Sequence, residues 1–290
     1  MGGTATGIAP WTDRRRRAEA LRERYPFARE VLTLYGALLG PQEEAFAAAR
    51  ADPPEPSHVP GYIADRVFPA VVDATLADGP ATLAEFVRGR AAAGDSRGII
   101  QAWLAGEDQP PVDRYLARAA AAPVLEALGP AAAAACPGPR DQRHCPTCGG
   151  PPQVSYFALS AEDLVTGRRY LVCARCAASW SYPRLTCAGC GETTGSRLSV
   201  FAEEGTAEAE VSGHIVRGLD AQRRQASERD LRFPHIRIEA CETCARYLLS
   251  IDMARDPTAV PLVDEMAAIP LDLYAADRGL AKVVPNLMGV

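Results

Sequence analysis

CPTCG (Cys145–Gly149), CARCA (Cys173–Ala177), CAGCG (Cys187–Gly191) and CETCA (Cys241–Ala245) are the four phrases that organise this 290-residue chain. Each is a C-x-x-C pair, and together they hold eight of the nine cysteines. One such pair is ambiguous between a redox motif and half a metal site, whereas four in series point to two four-thiolate metal sites. The two-residue spacer lets a tight turn aim both sulfurs at one point while backbone N–H groups of the turn donate to the thiolates. The residue after the second cysteine must tolerate a positive φ, which suits glycine. Here it is Gly149, Ala177, Gly191 and Ala245 in turn, an order that reads as a duplicated unit. Sequential pairing then puts Cys145, Cys148, Cys173 and Cys176 in a first site and Cys187, Cys190, Cys241 and Cys244 in a second. A cross-braced pairing, first with third and second with fourth, is the alternative; the duplication and the strand pattern weigh against it. Disulfides fit poorly with so short a spacer, and no βαβ pattern surrounds any pair as a thioredoxin-like motif would need.

Outward from the knuckles the sequence reads as short strands. Val154 to Leu159 and RYLVC (Arg169–Cys173) flank a turn around Ser160 to Arg168, the strand–turn–strand layout of a ribbon-type site. Ser179 to Leu185 leads into the third knuckle. Leu198 to Phe201 and HIRIEAC, ending at Cys241, are further strands, separated by an acidic patch (Glu203, Glu204, Glu208, Glu210) and a charged, helix-like stretch from Gly218 to Arg232. Residues 12 to 135 instead alternate amphipathic helices with Gly/Pro breaks, as a small helical domain does. RRRRAEALRERY, capped by Thr12 or Asp13, is a first helix with a polar, solvated face. Gly40-Pro41 and Pro123 are read as interruptions, and Pro69 as a kink or a split. His58 reads as a surface residue, Trp103 with Ile99 and Ile100 as core, and Cys136 as a buried, idle thiol. The Pro-Gly-Pro break after Cys136 is the expected boundary. Val263 to Gly279 is a C-terminal helix in which Ile269, Leu273 and Leu280 are expected to dock back on the ribbons, with a break or start at Pro270 and an extended tail after it. The expected architecture is α+β: a helical domain (1–136), a first metal module (137–185), and a second with an insertion and a C-terminal helix (186–290).

A formal net charge of −5 and a pI near 5.5 argue against a nucleic-acid footprint. Lys282 is the only lysine, which reads as a compositional habit. The basic N-terminal run has no apolar stretch behind it, so neither a secretion signal nor a membrane span is expected, and reduced, metal-bound thiols suit the cytoplasm. No carboxylate or histidine sits in a recognisable acid–base pair, so the chain is not expected to be an enzyme. His144, His214 and His235 are read as non-ligands beside so many sulfurs.

CPTCG at Cys145, GRRYLVCARC (Gly167–Cys176), Trp180, Arg184 ahead of LTCAGC, EACETCARYL (Glu239–Leu248) and the DEMAAIPLDLYAADRG tail resemble the formate dehydrogenase accessory protein family, FdhE. The resemblance covers the C-terminal half. It implies two rubredoxin-like (zinc-ribbon-like) metal modules holding two metal ions, with iron the usual occupant. It also implies a role in the biogenesis of respiratory formate dehydrogenase through binding its catalytic subunit before export. Leu249 stands where some members carry lysine, and Ala177 and Ala245 leave open how alike the half-sites are. Thiolate ligands alone do not separate Fe from Zn. A rubredoxin-like electron carrier or redox sensor, and a ribbon-type nucleic-acid binder, are the competing readings.

Overall fold

The structure, a computed structural model, describes residues 9–159, 167–203 and 232–289. Helix α1 (Trp11–Arg24) leads through a 3-10 turn into the long α2 (Arg29–Ala51). Then follow α3 (Val59–Arg66), α4 (Phe68–Asp78), α5 (Ala81–Ala92), α6 (Ser96–Ala105) and α7 (Pro111–Leu128). Pro69 does split a helical run, sitting in the first turn of α4. Pro41 and Pro123 do not interrupt theirs: α2 and α7 run straight through them. The reason is burial. Leu34, Leu38, Leu39 and Gln42 of α2 are all buried, and Gln42 donates from Nε2 to the Ala119 carbonyl of α7 at 2.8 Å. Tertiary packing outweighs the one hydrogen bond a proline removes.

The cysteine-rich part forms one seven-stranded sheet, built from two trios of strands. Strands β1 (Pro152–Phe157), β2 (Arg169–Cys173) and β3 (Ser179–Ser181) form one antiparallel trio. Strands β4 (Leu198–Phe201), β5 (Ile236–Cys241) and β6 (Arg246–Asp252) form a second with the same order. In each trio the second strand ends at the first cysteine of a knuckle and the third begins after it, so the duplication in the cysteine phrases is a duplication of structure. The trios join where β1 runs parallel to β6, Val154 opposite Leu249 and Tyr156 opposite Ile251. The two-residue β7 (Ala281–Lys282) also pairs with β6. Strand β6 has no counterpart in the sequence reading, although it is the seam of the sheet. The turn after Leu159, the carboxylates Glu204, Glu208 and Glu210, and nearly all of the charged stretch before Arg232 lie outside the described residues, as does His214.

Helices α8 (Pro261–Ala267) and α9 (Ile269–Asp277) pack back on the sheet, with Pro270 in the first turn of α9. Ile269 and Leu280 touch the core as expected, but Leu273 is exposed. One core joins α1 and α2 to the sheet through Leu21, Leu32, Val154, Ile238, Leu249 and Met266; another joins α2 to α7 and takes in the first four cysteines. Both therefore run across the expected boundary near residue 136.

Helix α1 corrects a second expectation. Arg14 and Arg17 are buried. Arg14 pairs with Glu126 of α7 at 2.7 Å, and Arg17 pairs with Asp256 at 2.6 Å and with Asp264 of α8. A partner more than two hundred residues away decides whether an arginine faces water, and local periodicity carries no trace of it. The Lys282 side chain is likewise buried, 2.8 Å from Glu265 and 2.9 Å from Asp272. Its charge serves the interior, a role composition alone did not suggest. Among the described residues no helix is long and apolar enough to cross a membrane.

Candidate metal centres

Each C-x-x-C turn is built alike. The Cys145 N–H donates to the Gly150 carbonyl at 2.9 Å and the Cys187 N–H to that of Glu192 at 2.8 Å. The Gly149 N–H reaches back to the Cys145 carbonyl at 2.8 Å, and the Gly191 N–H to that of Cys187 at 2.9 Å. The residue closing each turn is left-handed: φ is 69° at Gly149, 57° at Ala177, 83° at Gly191 and 51° at Ala245. Ala177 and Ala245 are the only described non-glycine residues with positive φ. A left-handed alanine costs about 1–2 kcal/mol, so this geometry is imposed by what the turn must hold. Turn N–H groups point at sulfur, Arg175 to Cys173 Sγ and Gly189 to Cys187 Sγ, both at 3.3 Å.

These turns bring the cysteines together in sequence order. Cys145, Cys148, Cys173 and Cys176 make one group and Cys187, Cys190, Cys241 and Cys244 the other, with all sulfurs of a group within 4.8 Å of one another. Sulfur–sulfur distances are 3.6 Å (Cys145–Cys176) and 3.4 Å (Cys148–Cys173) in the first, and 3.8 Å (Cys187–Cys244) and 3.7 Å (Cys190–Cys241) in the second. A disulfide needs about 2.05 Å. A tetrahedron with metal–sulfur bonds of about 2.3 Å has edges of about 3.8 Å, which both groups approach. The donor set therefore fits, and the two clusters can hold two metal ions. Four soft sulfurs suit zinc or iron.

The clusters differ in setting. All four cysteines of the first are buried, at 0–1% exposure, inside the core shared by α2, α7 and the sheet. In the second Cys190 is exposed and Cys244 half-buried. Protons are also held differently. Hydrogen bonds from Cys148, Cys173 and Cys176 hold the Cys145 thiol far below its ordinary range, while burial pushes Cys173 well up. Burial also raises Cys187 and Cys244. All such protons leave when a metal binds, so affinity falls as pH falls. Glu192 ties the third knuckle to the fourth, accepting from Thr243 Oγ1 at 2.7 Å, and that bond first of all lowers its carboxyl to about 2.

Two arginines beside the first cluster escaped the sequence reading. Arg118 and Arg175 line a cavity of about 70 Å³ together with Cys173 and Gln153. Arg118 donates to the Pro285 carbonyl at 2.7 Å, Arg175 stacks on Trp103, and neither forms a carboxylate ion pair among the described residues. Burial lowers Arg118 to about 10. Two buried cations beside a closed set of thiolates match the negative charge that a divalent metal with four thiolates carries. Nothing in local sequence singles them out, since Arg118 is one of many helical arginines. Cys136 is buried close by, its thiol pushed up to about 12 by burial. His144 bonds Asp141 at 2.7 Å and joins neither cluster. His235 lies with Asp256 and Asp264 in a third polar group, where the Arg17 guanidinium already fills the place of a cation.

Comparison with known proteins places these centres. Residues 144–184, which carry the first cluster, match the family model for the FdhE central domain, and residues 215–288 match that for the FdhE C-terminal domain. An FdhE homologue from Aquifex aeolicus is 32% identical over 148 residues, which cover 51% of this chain and 42% of that protein. One from Stutzerimonas stutzeri is 30% identical over 148 residues, 51% of this chain and 39% of that protein. The match thus spans only about two fifths of these relatives' own length. The crystal structure of the FdhE protein from Pseudomonas aeruginosa shares the fold, with a TM-score of 0.61 at 22% identity over 96% of this chain and 94% of that one. Two FdhE domain models are thus met in its metal region, and along nearly its whole length the chain shares the fold of an FdhE protein, so it is similar to the FdhE family in both.

Proposed function

We propose that this chain is a metal-binding accessory factor for formate dehydrogenase maturation, acting in the cytoplasm by binding the catalytic subunit before export, and that it is not an enzyme. The eight cysteines Cys145, Cys148, Cys173, Cys176, Cys187, Cys190, Cys241 and Cys244 are its metal ligands in this reading. The observation that carries it is the pair of four-sulfur clusters held in FdhE-type domains. Four protein sulfurs complete a tetrahedron, which leaves no open position for a metal-bound water. The protein's own contribution is to position: the turns fix the sulfurs, the turn N–H groups orient them, and the helices are clamped to the sheet around the first cluster.

A second reading, electron transfer or redox sensing, draws on the exposure of Cys190. Iron in such a site would supply one-electron chemistry, with the potential set by N–H···S bonds and solvent access. Co-purification with the formate dehydrogenase catalytic subunit, followed by formate dehydrogenase activity in cells lacking the chain, tests the first reading. Association, and loss of activity without the chain, is the expected result; no association would contradict it. A reversible one-electron couple with subunit binding absent would favour the second.

A further inference from the structure

Strand alternation gives the sheet two faces. Tyr247, Leu249 and Ile251 of β6 point into the core under α8, while Leu248 points the other way and packs with Leu171, Tyr182 and Ala188. On that second face lies a groove of about 350 Å³. Its apolar lining includes Leu185, Ala188, Leu198, Val200, Leu248 and Val283. Leu185 is 63% exposed, an apolar side chain left in water at the groove wall. The charged lining is Arg169, Arg184, Arg246 and Glu239. Glu239 is spent on Arg169 and on Ser155 Oγ. Arg184 lies over the Phe157 ring, and neither it nor Arg246 forms a carboxylate ion pair among the described residues. An apolar floor with two unneutralised arginines is complementary to an extended segment that alternates apolar side chains with carboxylates.

The groove and the second cluster are one construction. Cys187, Gly189 and Cys241 line the groove, and Cys187 and Cys241 also belong to the cluster. Tyr182 Oη donates to the Cys187 carbonyl at 3.0 Å, and a Cβ on Gly189 would meet Val283 at 3.3 Å, so the knuckle is packed tightly as a wall. The sulfur group, together with the Glu192–Thr243 hydrogen bond, ties this wall to the Cys241–Cys244 knuckle across the groove's end. The cluster opens to solvent at Cys190.

Resting on the maturation reading above, we propose that this groove is where the partner protein docks, through an extended apolar and acidic segment, and that metal in the second cluster holds the groove in its binding shape. The first cluster takes no direct part. The test uses the full chain loaded with zinc and the purified formate dehydrogenase catalytic subunit, with affinity measured by calorimetry. Leu185→Asp and Arg246→Glu are expected to weaken binding at least about tenfold while keeping metal content and circular dichroism unchanged. Arg246→Lys keeps most of the affinity, and Phe86→Asp, at a residue 63% exposed on α5, changes nothing. Cys190→Ser loses binding with metal still held by the first cluster. Wild-type affinity in both Leu185→Asp and Arg246→Glu would overturn the proposal and leave the maturation reading standing. A wild-type chain that binds no catalytic subunit would overturn both. Dimers of the chain that these variants dissolve, with subunit binding intact, would assign the groove to a second copy of the chain and overturn it too.

Discussion

The two cysteine clusters are copies in local geometry and opposites in setting. Both rest on paired turns closed by a glycine and an alanine in left-handed conformation, and both sit at the end of an antiparallel trio of strands. The first is sealed between the helices and the sheet, with Arg118 and Arg175 nearby; the second stands at the surface beside a groove. Local sequence builds the knuckle, and what packs around it decides the knuckle's task. In the first the cysteines are part of a hydrophobic core, so the fold of the helical region depends on them. In the second they shape a surface.

The largest effect that separates the two is on the fold itself. On the proposed ligand set, Cys148→Ser would take one of four sulfurs from the sealed cluster and leave three buried thiols without a cation. Metal binding at structural sites is worth about 10–16 kcal/mol in small domains, enough to decide folding. Cooperative thermal unfolding is expected to vanish in Cys148→Ser and to persist in Cys190→Ser; equal loss in both would erase the distinction. A smaller effect isolates the charge around the sealed cluster. Arg118→Met and Arg175→Gln are each expected to weaken metal at the first site by about 10–100-fold and to leave the second unchanged, measured by competition with a chromogenic chelator. The smallest concerns the strained alanines. Ala245→Gly, at an exposed turn, is expected to raise stability by about 0.5–1 kcal/mol, the left-handed penalty less the chain entropy glycine brings. The buried Ala177→Gly gives less, because the lost methyl was packed. Denaturant titration of the metal-loaded proteins measures both.

Much of the site was legible in the sequence because its information is local. Cysteine spacing, the glycine or alanine after each pair, and alternation in RYLVC and HIRIEAC specify knuckles and strands within a few residues of themselves. What the sequence reading missed depends on distant partners. RYLLSID after the last knuckle became the central β6 only because β1 and β5 flank it. Arg17 became a buried clamp only because Asp256 and Asp264 meet it. Pro41 and Pro123 were absorbed by helices whose other faces are fully packed. The joining of the two trios into one sheet rests on a parallel pairing between strands some ninety residues apart, which no turn signal announces.

Metal release followed in time tests the account most directly. Protein purified without oxygen and mixed with excess chelator is expected to carry two ions per chain, each on four sulfurs by X-ray absorption. One ion should leave quickly, from the exposed cluster, and the other only as the protein unfolds. One ion or none at the outset, or two ions leaving together at a single rate from folded protein, would contradict it.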